Sequence, residues 1–107
     1  MTGSEEWSED QFEAAVGAYA TMLTWQRQGQ QFVKRDVIRQ LVAGPLRGRT
    51  IASVEYRLQN ISAVMEEQGH DWLKGYVPAR NVGDRGRRLI LQFLHVQGVF
   101  GGQAASR

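Results

Sequence analysis

The sequence predicts an all-α protein, namely a small single-domain bundle of about four helices with a helix-turn-helix-like central pair. Two segments have the polar cap residues that begin helices, at Ser8 and at Thr50. Apolar residues recur at steps of three and four in four segments, and no segment sustains the alternation of a strand. With 107 residues, of which 42% are apolar, the chain is long enough for one core.

The first helix is predicted from its starting signal. Ser8 is the expected N-cap and Gln11 its capping-box partner, while Trp7 precedes the cap and is positioned to pack on Phe12. The apolar period then continues until Gly29, which offers a stop. We expect an amphipathic helix of roughly 20 residues.

A second, shorter helix is predicted from about Val33 to Val42, and Gly44-Pro45 ends it. A short turn that carries Arg47 and Arg49 then leads into the central helix. This order resembles a helix-turn-helix motif, and a plain helical hairpin within a bundle is the alternative.

The central helix is predicted to begin after Thr50 and to end at Gly69. Its apolar stripe consists of Ile51, Val54, Leu58, Ile61 and Met65. The opposite side has no charge and consists of Ala52, Tyr56, Gln59, Asn60 and Ala63. Such a face suits contact with a partner, although burial against a second helix would explain it equally well.

After Gly69, the segment to position 81 reads as an ordered loop that is pinned by Trp72, Leu73 and Tyr76. Asn81 is the predicted cap of a last helix, whose buried face consists of Leu89, Ile90, Phe93 and Leu94. Residues 98–107 are predicted to be a frayed tail, which leaves an ordered core of about 7–97 within a single domain, 1–107.

Positive charge is concentrated in two blocks on either side of the central helix. Residues 27–57 carry a net charge of +5 and residues 74–88 carry +4, while residues 1–26 carry −5. Eleven of the thirteen cations are Arg, whose planar side chain suits phosphate but is also common in surface ion pairs. The charge pattern therefore makes a polyanionic partner one of two open interpretations.

Several classes of protein are not indicated. No apolar run approaches the roughly 20 residues that cross a bilayer, and the acidic start is unlike a secretory signal, so we expect a soluble, cytoplasmic protein with no membrane partner. The chain has no Cys, and His70 and His95 lie far apart without a zinc-binding motif. No catalytic spacing or cofactor motif is found. We expect no enzyme activity, no metal and no cofactor.

A set of short motifs resembles a known family. These are Gly48-Arg49-Thr50, Ser53-Val54-Glu55, Asn60-Ile61-Ser62-Ala63-Val64, Gly69 and Lys74-Gly75-Tyr76-x-Pro78-x-x-Asn81. Together they are similar to the N-terminal head domain of ScoMcrA-type modification-dependent restriction endonucleases, over Trp7 to about Val96. The resemblance implies a small helical module that stands ahead of domains that recognise modified DNA and of an HNH nuclease. Family members often have Asn at the position of Val33 and Gln at that of Gly83.

Two functions follow as hypotheses. The first is a non-catalytic DNA-binding module of a restriction or defence system. Its predicted phosphate contacts on duplex DNA are Arg47, Arg49, Arg57, Arg80, Arg85, Arg87 and Arg88, and its predicted base or sugar contacts are Tyr56, Gln59 and Asn60. The second is a docking domain for nuclease or modification-recognition domains, which would use the uncharged helix face and the Tyr76 to Pro78 loop. Asn60 has a further interpretation, since its amide suits a hydrogen bond to that loop.

Overall fold

The computed structural model describes residues 6–100 and confirms the all-α bundle. Within this range the chain forms four helices and no strand: α1 (Glu9–Arg27), α2 (Lys34–Ala43), α3 (Ile51–Glu67) and α4 (Asp84–Val96). Helix α1 packs against α3 and α4, and α2 packs against α3 and α1. The predicted four-helix architecture is therefore the observed one.

The start of α1 is formed as predicted. The Ser8 hydroxyl accepts from the backbone N–H of Gln11 at 3.1 Å, and the Gln11 side chain accepts from the Ser8 N–H at 3.0 Å. The rings of Trp7 and Phe12 are 5.8 Å apart, so the segment before the helix is held against its first turn. Gly29 ends the helix region with a positive φ of 71°, a conformation that favours glycine.

Helices α2 and α3 are connected by residues 44–50, with Leu46 fully buried in the middle of the connection. The Thr50 side chain accepts from the Ser53 N–H, which confirms the predicted cap of α3. The connection is longer than the three or four residues of a helix-turn-helix turn. Helices α2 and α3 are thus neighbours in the bundle, as predicted, but the length of their connection differs from that of a helix-turn-helix motif.

The two halves of α3 differ in burial. From Asn60 to Met65 every residue is buried, so this half lies inside the bundle on all sides. In the first half, Ile51 and Tyr56 are exposed, and only one stripe faces the core. The uncharged face predicted for the whole helix is therefore exposed near its start and covered near its end.

The loop after α3 is ordered by buried anchors. Leu73 and Tyr76 are buried, as predicted, whereas Trp72 is 37% exposed. The Tyr19 hydroxyl lies 2.8 Å from the Ser62 hydroxyl and accepts from the Leu73 N–H at 2.9 Å. A single buried side chain of α1 thereby joins α3 to the loop.

The structure corrects the predicted start of the last helix and the first residues of the predicted tail. Helix α4 begins at Asp84 after Gly83, whose φ is 82°, and not after Asn81, because Val82 turns inward and is buried against the core. Phe100 is also buried, stacked on His70 at 4.6 Å and edge-on to His95 at 5.0 Å. The first residues of the predicted tail are therefore packed, and positions 101–107 lie outside the described residues. The four predicted core residues of α4 are buried.

Between positions 6 and 100, no helix combines the length and the apolar character that a membrane crossing requires.

Candidate nucleic-acid interface

The two basic blocks meet at the N-terminal end of α1. Arg49 and Arg57 come from the first block and Arg85 from the second, and all three guanidinium groups lie over the rings of Trp7 or Phe12. We call Arg49, Arg57 and Arg85 the Trp7 cluster. The fold brings together residues that are far apart in the chain because α1, α3 and α4 all begin at this end.

Arg57 is the most enclosed member of the Trp7 cluster. Its guanidinium carbon lies 4.7 Å from the centre of the Trp7 ring and 4.8 Å from that of Phe12, and its Nη1 donates to Asn60 Oδ1 at 3.1 Å. Its Nε is buried and has no hydrogen-bond partner among the described residues. Burial, with smaller contributions from the charges of Arg49 and Arg85, lowers the pKa of Arg57. This side chain is directed inward.

Arg49 and Arg85 hold the backbone that precedes α1. Arg49 Nη2 donates to the Glu6 carbonyl at 3.0 Å and to Gln11 Oε1 at 2.9 Å. Arg85 Nη1 donates to the Trp7 carbonyl at 2.8 Å and lies 3.6 Å from a carboxylate oxygen of Glu6. Arg49 and Arg85 were predicted to contact phosphate. In the structure their guanidinium N–H groups instead donate hydrogen bonds within the fold.

Two further predicted phosphate contacts form ion pairs with the end of α3. Arg80 donates two hydrogen bonds to Glu66, at 2.8 and 2.7 Å, and Arg87 donates two to Glu67, at 2.9 and 3.1 Å. The bonds from Arg80 hold the pKa of Glu66 below its usual range. Such two-bond pairs fix the side chains in place and neutralise much of their charge.

Arg47 and Arg88 are the two predicted phosphate contacts that stay available. Both are exposed, and neither forms an ion pair or a side-chain hydrogen bond within the part of the chain that the structure describes. Arg47 lies in the connection before α3, and Arg88 lies in α4. Each basic block thus contains one predicted phosphate contact that is exposed and makes no such interaction with the described residues, Arg47 in the first block and Arg88 in the second.

The three predicted base or sugar contacts have different environments. Tyr56 is 44% exposed and Gln59 is half-buried. Asn60 is fully buried, and its Nδ2 donates to the Ala79 carbonyl at 2.7 Å while its Oδ1 accepts from Arg57. Asn60 therefore makes the loop hydrogen bond that its second interpretation proposed, and its amide does not reach the surface.

Cations that were not among the predicted contacts lie beside Gln59. A pocket of about 290 Å³ is lined by Lys34, Arg35, Glu55, Gln59, Gly75 and Tyr76, and we call it the α2 pocket. The Lys34 side chain packs closely over Gly75. A Cβ atom added at Gly75 would lie 2.7 Å from Lys34 Cε. Burial, with the nearby Glu55 carboxylate, raises the pKa of Tyr76 to about 12. The sequence contained a signal for these two cations. Lys34 and Arg35 begin α2, and the start of a helix favours acidic side chains over basic ones, so basic residues there do not serve to stabilise the helix.

No group of three or more potential metal-ligating side chains comes together in the described part of the chain. Searches against protein-family models, curated proteins and solved structures found no match for this chain. The resemblance to the restriction-endonuclease head domain stays a prediction from the motifs.

Proposed function

We propose that this domain is a non-catalytic module that binds duplex DNA, with the exposed first half of α3 turned towards the bases and the start of α2 placed on the phosphate backbone. The observation that carries the proposal is the α2 pocket, where Lys34 and Arg35 stand beside Gln59. Polar contacts to phosphate fix the position of a protein on DNA, and side chains that reach base edges supply specificity.

The chemistry of the α2 pocket supports this proposal. Neither Lys34 nor Arg35 forms an ion pair with any residue between positions 6 and 100, so their charges are available to a phosphate. They also lie at the N-terminal end of α2, where the helix dipole favours anions. Gln59 supplies an amide, which suits adenine, and Glu55 supplies an acceptor, which suits cytosine.

The sequence motifs favour a restriction or defence system as the setting. In that setting the domain would act in the cytoplasm beside nuclease or modification-recognition domains, which would perform the chemistry. Of the arginines first predicted to touch phosphate, this proposal retains Arg47, because it is exposed and precedes α3. It assigns Arg49, Arg57, Arg80, Arg85 and Arg87 to the fold. It gives up the phosphate contact predicted for Arg88, which lies on α4, a helix that contributes no residue to the α2 pocket.

The test is a titration of labelled duplex DNA, unmodified and modified, at two salt concentrations. Arg35→Gln should weaken binding to every duplex and reduce the slope of log K against log salt by about one unit, because one phosphate contact is lost. Arg88→Gln is the matched control, since it removes the same charge from an exposed position on α4 that does not line the pocket. Gln59→Ala should instead change the preference between duplexes with little change in slope.

If folded Arg35→Gln and Arg88→Gln proteins bind duplex DNA equally well, the proposed contact surface is wrong. If the unchanged protein has no salt-dependent affinity for any duplex, the DNA-binding function is wrong.

A docking domain is the second candidate, and exposed apolar side chains next to the α2 pocket favour it. Val33 and Val77 are 59% and 67% exposed, and each adjoins a pocket-lining residue. Nuclease or modification-recognition domains of a restriction system would cover them. Sedimentation of the mixed domains tests this, since Val77→Asp should weaken a complex that depends on these apolar contacts. A complex of unchanged affinity would contradict it.

A further inference from the structure

The α2 pocket continues into a longer groove along the loop. Lys34 lines both the α2 pocket and a neighbouring pocket of about 480 Å³ that also contains Gln31 and Phe32. That second pocket shares Gln26 and Lys74 with a third, of about 280 Å³, which contains Trp72. The second pocket therefore adjoins each of the other two, and we call the three together the loop groove.

The middle of the loop groove is positively charged. Its central pocket is lined by Gln26, Gly29, Gln30, Gln31, Phe32, Lys34 and Lys74, with two cations and no acid. The two acids of the groove, Glu55 and Asp71, belong to the pockets at its ends. Lys74 also forms no ion pair with a residue of the described range. A negatively charged ligand would thus meet unneutralised charge along the centre.

Hydrogen bonds order the wall of the groove at the end of α1. The N–H groups of Gln28, Gly29 and Gln30 donate to the last carbonyls of that helix. The Gln26 side chain accepts from the Lys74 N–H at 2.8 Å and donates to the Trp72 carbonyl at 3.4 Å. These bonds hold the backbone of Trp72 and Lys74 at the wall of the groove.

Aromatic rings accompany the cations. Trp72 is 37% exposed at one end of the groove, and Phe32 is half-buried in its centre with Lys34 Nζ 5.9 Å from the ring. Grooves that bind single-stranded nucleic acid combine positive charge along the backbone path with exposed aromatic faces on which bases stack. An acidic peptide would use the cations but would gain little from the ring of Trp72.

We propose that the loop groove binds one strand of single-stranded nucleic acid, with phosphates on Lys34 and Lys74 and a base on Trp72. This site shares Lys34 and Arg35 with the proposed duplex surface. It extends beyond that surface through Lys74 and Trp72, which do not line the α2 pocket. A duplex cannot stack a paired base on a side chain without unpairing it, so the two ligands are distinguished by Trp72.

The test measures binding of a labelled oligothymidylate and of a matched duplex to the full chain, at two salt concentrations. Trp72→Ala should weaken single-strand binding by about tenfold, the effect of losing one base–aromatic stack, and leave duplex binding unchanged. Trp72→Phe, which keeps an aromatic face, should restore most of the loss. Lys74→Gln should reduce the salt slope for the single strand by about 0.7, whereas the control Arg88→Gln should leave it unchanged.

Quenching of tryptophan fluorescence by the oligonucleotide gives an independent readout, since most of it should be lost in Trp72→Ala. Trp7 is buried outside the groove, and Trp25 lies behind Phe32, with their rings 5.3 Å apart. The proposal is overturned if the oligothymidylate does not bind, or if it binds with equal affinity when Trp72 is replaced by alanine. It is also overturned if polyglutamate displaces the strand and binds Trp72→Ala as tightly as the unchanged protein, because the groove then accepts an acidic peptide. Failure of duplex binding alone would remove the proposed function and leave this site intact.

Discussion

The two groups of cations in this molecule have different surroundings and therefore different roles. In the Trp7 cluster, three arginines from three segments cover aromatic rings and donate to backbone carbonyls and to side-chain oxygens. In the loop groove, Lys34, Arg35 and Lys74 line open pockets and form no ion pair with the described residues. Each basic block of the sequence thus contributes some cations to the fold and others to a surface that a ligand can reach.

The difference shows that a basic block in a sequence gives the total charge but not its availability. Arg49 and Arg85 reach the carbonyls of Glu6 and Trp7, which precede α1, and their guanidinium groups lie over the rings of Trp7 and Phe12. Lys34 and Arg35 begin a helix that has no side-chain cap, and they line a pocket together with Tyr76 of the loop. The predictions below test this contrast, from the largest expected effect to the smallest.

Trp7→Ala should lower the free energy of unfolding by about 3–5 kcal/mol, because it removes a buried aromatic side chain and the surface over which Arg49 and Arg57 lie. Urea unfolding followed by circular dichroism measures this loss. Trp72→Ala is the control from the groove, and it should cost much less. Equal losses would contradict the assignment of Trp7 as an anchor.

Arg57→Met should cost about 2 kcal/mol, since it leaves Asn60 Oδ1 buried without its donor and removes the cation from two rings. The relief of repulsion from Arg49 and Arg85 offsets part of this cost. Arg35→Gln should change stability by no more than about 0.5 kcal/mol, as expected for an exposed surface position. An unfolding midpoint that is the same for both variants would remove the distinction between the two groups of cations.

The helices could be predicted because their signals are local. Ser8, Gln11 and Thr50 make cap hydrogen bonds with residues three positions away, and apolar spacing identifies the buried face. The availability of a charge depends instead on residues far away in the sequence, such as Trp7 for Arg57 or Glu66 for Arg80. The start of α4 was misplaced for the same reason, because burial of Val82 outweighs the capping preference of Asn81.

Tyr76 forms a wall of the groove, and its ionisation gives a pH test. Its pKa is about 12 in the folded protein and about 10 in an unfolded chain, so its contribution to stability is complete below pH about 10. As the pH rises towards 12, the unfolded state loses the proton first, and about 1–2 kcal/mol of stability is lost. Tyr76→Phe should reduce this alkaline loss in urea titrations across that range. Parallel curves for the two proteins would contradict the burial of the phenol.

The Glu66–Arg80 pair should have the smallest effect, because both side chains are partly exposed to solvent. The pKa of Glu66 is lowered when folded, so the pair contributes stability above pH about 4.3, and this contribution is lost as the pH falls through the folded value. Arg80→Gln should flatten the acid side of the stability profile. Chemical-shift titration of the Glu66 carboxyl carbon would show a higher pKa in the variant, and an unchanged pKa would contradict the pairing.

The Tyr19 hydroxyl has a consequence for the order in which the molecule opens. Because it joins Ser62 of α3 and the Leu73 amide of the loop, the loop cannot detach without exposing a hydroxyl group in the centre of the bundle. The Leu73 amide should therefore exchange its hydrogen only when the whole domain unfolds, as slowly as the amides in the middle of α3, although it lies outside any helix. The loop that walls the groove would then belong to the same cooperative unit as the helices, and a ligand would meet a surface already formed.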